Sequence, residues 1–184
     1  MKVMIVYESM FGSTKAIGEG CGPWADVEVV SVAGADPRMV DRTDLLVVGG
    51  PTHAWGMSRP NTRKGAPGRR DKPGSDLVLE PGAETGPGVR EWLAGLGQTH
   101  AHGAAFDTRI KGPSALTGRA SIGIKYQLSK RGLDMITRPE SFLVTRQSHL
   151  VEGEIDRARV WGSQLATLLG GPRIDADGAR EQRG

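Results

Sequence analysis

Lys2-Val3-Met4-Ile5-Val6-Tyr7 is a short apolar, β-branched run that stops at Glu8 and gives way to Ser9-Met10-Phe11-Gly12-Ser13-Thr14, and no other feature limits the fold of this chain as strongly. A continuous apolar run of that length reads as a strand buried on both faces, which belongs to a parallel sheet covered by helices. The residues after it read as a helix that reaches Cys21. Gly12 lets the backbone come close to a ligand, and the N–H groups and positive dipole end of the helix attract an anion. With the hydroxyls of Ser9, Ser13 and Thr14 crowded onto one turn, the stretch reads as a site for a phosphate monoester built without a charged residue. Taken alone, the same residues also fit an ordinary helix cap.

Other phosphate loops fit worse. A Walker loop needs two glycines flanking four residues and then Lys-Ser/Thr, whereas here Gly12 is followed by Ser-Thr-Lys. The dinucleotide fingerprint fails because Gly18, Gly20 and Gly22 have the wrong spacing and lie too late. A phosphoacceptor domain would want an acid where the third apolar run, Asp44 to Gly50, instead ends in Pro51-Thr52.

Along the chain, apolar runs alternate with helical patterns. Asp26 to Val32 reads as a second strand, Asp36-Pro37 as the cap and first turn of a short helix, and Leu45 to Gly50 as a third strand. Val89, Trp92, Leu93 and Leu96 share one helical face stopped by Gly97, which makes Trp92 a core residue. Gly103 to Asp107 reads as a fourth strand, Ser114 to Arg131 as a basic helix with Leu116, Ala120, Ile124 and Leu128 at four-residue intervals, and Ser141 to Thr145 as a fifth strand. The last helix starts near Glu152 and Glu154, buries Trp161 and Leu165, and ends at Gly170-Gly171-Pro172. This predicts one domain over residues 1–172, interrupted by a long Gly-, Pro- and Arg-rich loop at about 57–86, with a polar tail over 173–184. Such a loop serves as a lid, a partner surface or a disordered linker; its place after the third strand favours a partial cover over a site.

Gly49-Gly50-Pro51-Thr52-His53-Ala54-Trp55-Gly56 follows the third strand, at the sheet edge that holds the first loop. Together the two loops resemble those of the flavodoxin family. The resemblance implies an α/β fold with a doubly wound, five-stranded parallel sheet of order 2-1-3-4-5, flanked by helices in three α/β/α layers. It implies flavin mononucleotide (FMN) as cofactor, with Ser9, Met10, Phe11, Gly12, Ser13 and Thr14 around its phosphate. Pro51, Thr52, His53, Ala54, Trp55 and Gly56 would lie along the isoalloxazine, and the strand exit Asp107-Thr108-Arg109, with Phe106 before it, would supply a third wall. Gly56 fits the position whose positive φ lets a peptide carbonyl turn toward the ring. Asp107 either hydrogen-bonds the ligand or caps the following turn, and His53 either meets the ring or fixes its own loop. No aromatic residue stands between Asp107 and Ala120, where flavodoxins often carry one, which implies a more accessible ring unless the long loop covers it.

Charge bears on the partner. The net charge of +3 conceals residues 57–74, with six basic residues and one acid, and residues 108–146, with eight and two, so the rest of the chain is acidic. The basic loop adjoining the site suits an anionic partner better than the acidic surround typical of electron-shuttling flavodoxins. Nucleic acid is an unlikely partner, because no aromatic residue interleaves with the basic ones. His100-x-His102 has no Cys or carboxylate at metal-ligand spacing, and no nucleophilic triad is legible. No apolar run approaches a membrane span, Lys2 opens a strand pattern and not a signal segment, and the lone Cys21 suits a reducing, cytoplasmic setting. The expected function is electron transfer through bound FMN to a partner protein or a small-molecule donor or acceptor. The alternatives are an FMN-dependent oxidoreductase acting on a quinone, porphyrin or reduced nicotinamide nucleotide, and a cofactor-free interaction module.

Overall fold

A computed structural model describes residues 1–22 and 26–170. The expected polar tail at 173–184 and the helix end at Gly171-Pro172 lie outside the described residues. Strand β1 (Val3–Tyr7) forms where the first apolar run predicts it and sits in the middle of a parallel sheet. It pairs on one side with β2 (Val27–Ser31) and on the other with β3 (Leu45–His53), Val3 lying opposite both Val27 and Leu45. Next to β3 comes β5 (His102–Ile110), again parallel.

The fifth position is shared by two pieces. Strand β6 (Asp134–Met135) pairs with the start of β5 and β7 (Glu140–Val144) with its end, separated by a segment that includes Pro139. Proline cannot donate to a ladder, so the edge breaks there. The order 2-1-3-4-5 thus holds with a split last strand.

Helices cover both faces. Helix α1 (Ser13–Gly20) packs with α7 (Glu154–Leu168) over one face, where Ile5, Ile17, Val47, Phe106, Phe142 and Trp161 close a core. On the other, α4 (Val89–Gly95) and α6 (Ala120–Ser129) bury Met4, Val48, Leu93 and Ile124. Trp92 is core, as its helical face predicts, and its indole N–H is satisfied by the Ala35 carbonyl at 2.9 Å. Asp36 caps the 3-10 helix Pro37–Arg42 by accepting the Arg38 N–H at 2.9 Å. No helix among the described residues is long and apolar enough to cross a membrane.

Two expectations change. The basic helix predicted over 114–131 is α5 (Ser114–Thr117) and α6, parted by Gly118 at φ 73°. Gly118 bridges to Trp55, leaving no room for a side chain against that backbone, and α6 restarts with Ala120 N–H on Thr52 Oγ1 and Ser121 N–H on Asp107 Oδ2. Leu116 is therefore 72% exposed and does not continue the apolar face.

The segment after β3 is not a structureless loop. It holds β4 (Gly56–Met57), antiparallel to the end of β3, then α2 (Pro60–Arg63) and α3 (Ala66–Arg70). Arg63 anchors it, with only 3% of its surface exposed. Its guanidinium donates to Ser58 Oγ at 3.1 Å, Glu91 Oε2 at 3.0 Å and the Gly86 carbonyl at 3.2 Å. Buried Glu8 belongs to the same cluster and accepts the Val89 N–H at 2.8 Å. Burial pushes the Glu8 carboxyl above its ordinary range, while Ser58, Val89 and Arg63 oppose that shift. Removing one member of a buried ionic cluster leaves the other charges unpaired, so Arg63→Met is expected to cost about 3–5 kcal/mol in urea unfolding. Lys64→Met, at the exposed neighbouring position, should stay within about 0.5 kcal/mol. Equal effects for the two variants would deny Arg63 its anchoring role.

Candidate functional site

The carboxyl ends of β1, β3 and β5 face one pocket, and each motif picked from the sequence sits on one of those ends. Gly12, at φ 85°, turns the chain into α1 and gives its N–H to Ser9 Oγ at 3.1 Å. No side chain caps α1, so the N–H groups of its first turn have no partner within the helix. Ser9, Met10, Phe11, Ser13 and Thr14 wall one side of the pocket, Pro51, Thr52 and His53 another, and Thr108, Arg109 and Ile110 a third. Across the opening, Thr14 Oγ1 and Thr108 Oγ1 share a hydrogen bond of 2.7 Å. Two hydroxyls joined by one bond leave one hydrogen available to a ligand.

Two contributions were not legible in the motifs. Arg69, on α3, lines the pocket with its guanidinium 5.4 Å from the Phe11 ring centroid and donates to the Arg146 carbonyl at 2.9 Å. The loop between β1 and α1 carries no charge from Ser9 to Thr14, but the pocket it lines does. The basic character of residues 57–74 was the available signal, though nothing in it singled out Arg69. The second contribution is the loop after β7, where Ser148 lines the pocket and its carbonyl accepts the Ser13 hydroxyl at 2.6 Å. No motif marks that loop; only the strand order places it there.

His53 lines the same pocket, and burial, then the charges of Arg69 and Arg63, hold its imidazole below the usual value near 6.5. Neutral His53 can donate with one ring nitrogen and accept with the other.

At the rim, Ala54 and Trp55 form the two-residue turn between β3 and β4, with φ of 44° and 68°. Positive φ at both central residues is the type I′ hairpin, normally made by Asn-Gly because a Cβ resists that conformation. Ser148, at φ 69°, completes the set of non-glycine residues with positive φ among the described residues; it lines the pocket, while Ala54 and Trp55 follow His53 and are not among the lining residues. Backbone strain of this kind persists where function holds it. Trp55 is presented outward, 68% exposed. Gly56 follows the turn as the first residue of β4 and takes no positive φ here; the peptide turn expected of it belongs to a reduced, ligand-bound state.

The structure turns two expected contacts inward. Phe106 is fully buried against Phe142 and Trp161, with ring centroids 6.0 Å away in each case. Asp107 is fully buried and caps α6, and burial raises its carboxyl above the ordinary range. Alternation along β5 explains both, since residues on either side of the pleat enter the two cores and only the strand's end reaches the pocket.

No family model and no curated protein matches the chain by sequence. Solved structures do match. An archaeal flavodoxin superposes with a TM-score of 0.61 at 19% identity, over 92% of this chain and 99% of that one. The chain has a flavodoxin-like fold. Oxidised flavodoxin 2 from Bacillus cereus has the same fold with a TM-score of 0.60 at 16% identity, over 91% of this chain and 99% of that one. Rubredoxin:oxygen oxidoreductase from Desulfovibrio gigas matches with a TM-score of 0.56 at 16% identity, over 92% of this chain but 36% of the larger protein. The flavodoxin-like fold places the loop after β1 beside the end of β3, where the order of strands reverses direction, and ligands of open α/β sheets bind at such a point.

Two expected outcomes test this geometry. Replacing the turn by Ala54→Asn with Trp55→Gly relieves the left-handed strain, so the urea midpoint should rise, by about 1–2 kcal/mol in stability. An unchanged or lower midpoint would mean that the hairpin stores no strain. The folded state holds the His53 pKa below that of the unfolded chain, which takes up its proton near pH 6.5, so wild-type stability falls relative to His53→Gln as the pH drops through about 6.5. Parallel stability curves for the two proteins between pH 7.5 and 5.5 would contradict the shift.

Proposed function

We propose that this protein binds FMN and transfers electrons through it. The observation that carries the reading is the uncapped start of α1, opening onto a pocket of hydroxyls beside the strained, outward-facing Trp55 hairpin. FMN supplies reversible redox chemistry when bound, so the chain needs to bind, orient and shield it without a nucleophile or general base of its own.

The donor set fits a phosphate. First-turn N–H groups of α1 are its principal donors, joined by the spare hydroxyl hydrogen of the Thr14–Thr108 pair and by Ser9, whose oxygen is already used as an acceptor. The Ser13 hydrogen is held by the Ser148 carbonyl, which ties the roof over the loop instead of donating to the ligand. Arg69 adds the positive charge that the loop lacks. Trp55 offers an aromatic face to the ring, and neutral His53 offers a hydrogen bond without opposing a change of charge on it. Phe106 and Asp107 act at a distance, by packing β5 and starting α6.

A second reading, an FMN-dependent oxidoreductase acting on a quinone, porphyrin or reduced nicotinamide nucleotide, is favoured by Arg69 and Arg109 at the pocket wall. Guanidinium groups there attract an anionic substrate and repel a basic partner protein. Steady-state oxidation of a reduced nicotinamide nucleotide with a small quinone separates the two, since a carrier turns over slowly without its partner. We place either activity in the cytoplasm, where the buried Cys21 stays reduced.

The phosphate assignment predicts that FMN binds more tightly than riboflavin in calorimetry. Thr14→Ala should remove about 1–3 kcal/mol of that preference, and Trp55→Ala should weaken both ligands alike by about 0.5–1.5 kcal/mol. Equal affinity of the wild-type protein for the two flavins would sink the assignment.

A further inference from the structure

Beside the phosphate pocket lies a second concavity, walled by Arg69, Lys72 and Arg146 and floored by the turn from Pro73 to Leu77. Arg69 lines both cavities, so they meet at one guanidinium. Its hydrogen bond to the Arg146 carbonyl, at 2.9 Å, fixes that meeting point and draws the loop after β7 against α3. The acids nearby are already engaged: Asp76 pairs with His149 at 3.0 Å and Asp71 with Arg70 at 2.7 Å. Among the described residues, no carboxylate lies within ion-pair distance of Arg69, Lys72 or Arg146. Three cations gathered round one groove outnumber its one lining acid, Asp76, so they repel one another and a bound anion relieves that repulsion. Gly74, at φ 77°, bends the floor with no side chain, leaving the groove open above it.

We propose that Arg69, Lys72 and Arg146 form a second anion subsite, continuous with the phosphate pocket, that takes the diphosphate of a nucleotide. Arg69 stands between the two positions and contributes to both, while Lys72 and Arg146 serve the second alone. Inserted residues 57–80 thereby widen a monophosphate site into one that reads a longer polyanion. The ligand chemistry has two sources, a flavin dinucleotide spanning both cavities or a separate nucleoside diphosphate group lying against protein already loaded with FMN. The inference rests on the flavin reading only for what fills the first pocket.

Calorimetry on the full chain tests it with FMN, FAD and ADP as probes, comparing wild type with Lys72→Gln/Arg146→Gln. If one ligand spans both sites, FAD binds the wild type more tightly than FMN does, and the double variant loses that advantage by about tenfold while its FMN affinity is kept. If the diphosphate is separate, ADP binds FMN-loaded wild type, and the double variant weakens it by about tenfold. Arg69→Gln should weaken FMN as well as ADP or FAD. The proposal is overturned if ADP fails to bind and FAD gains nothing over FMN, or if the double variant binds both like the wild type. Should FMN itself not bind while ADP still depends on Lys72 and Arg146, the subsite stands and the flavin reading falls.

Discussion

Buried Arg63 is the tie on which the site's outer wall depends. One side chain reaches Ser58 after β4, Gly86 at the far end of the inserted segment and Glu91 on α4, beside the Glu8 carboxylate that ends β1. These groups are distant in sequence and would otherwise be joined only by the core. Buried charge pairs are costly to desolvate and contribute little net stability, yet they are unforgiving of misplacement. The cluster therefore acts as a register pin, fixing where α2 and α3 rest and hence where Arg69 meets Phe11 in the loop after β1. Gly88 belongs to the same arrangement, because a Cβ there would collide with the Arg63 guanidinium and leave too little room for Glu8 and Ser58.

Order in that wall lets strain persist at the rim. The hairpin at Ala54 and Trp55 is held between the β3–β4 pairing on one side and the Trp55–Gly118 bridge on the other. Thr52 joins the same arrangement by capping α6. A left-handed turn without glycine survives because neighbouring contacts over-determine it, and its result is an exposed tryptophan at a defined place. On the opposite side, Ser13–Ser148, Arg69–Arg146 and His149–Asp76 fasten the loop after β7 to the start of α1 and to the segment that follows β4.

The fold was legible wherever local pattern and tertiary structure agree. Val3 to Tyr7 and Leu45 to Val48 are continuous apolar runs and the Trp92 face has a helical period, and each forms the expected element. Legibility failed where a long-range contact overrules a local period. The four-residue spacing from Leu116 to Leu128 promises one helix, but the approach of Trp55 to Gly118 divides it. Composition suggested a loose loop for the segment after β3, because nothing local reveals that Arg63 is buried and bonded to Ser58, Gly86 and Glu91. At the site, hydroxyls and glycines announce themselves by chemistry, whereas Ser148 and Arg69 arrive by topology alone. Phe106 shows the converse error, since only Thr108 to Ile110 at the end of β5 reach the pocket, while Asp107 takes the capping role that was one of its two readings.

The central claim is that the loop between β1 and α1, with the wall pinned by Arg63, holds the phosphate end of FMN. The most direct measurement is the visible absorption spectrum of the purified protein, with the chromophore released by denaturation and identified by mass. The account predicts flavin bands and released FMN, or their appearance once FMN is supplied to colourless protein. Protein that stays colourless and takes up no FMN, while its unfolding remains cooperative, would contradict it.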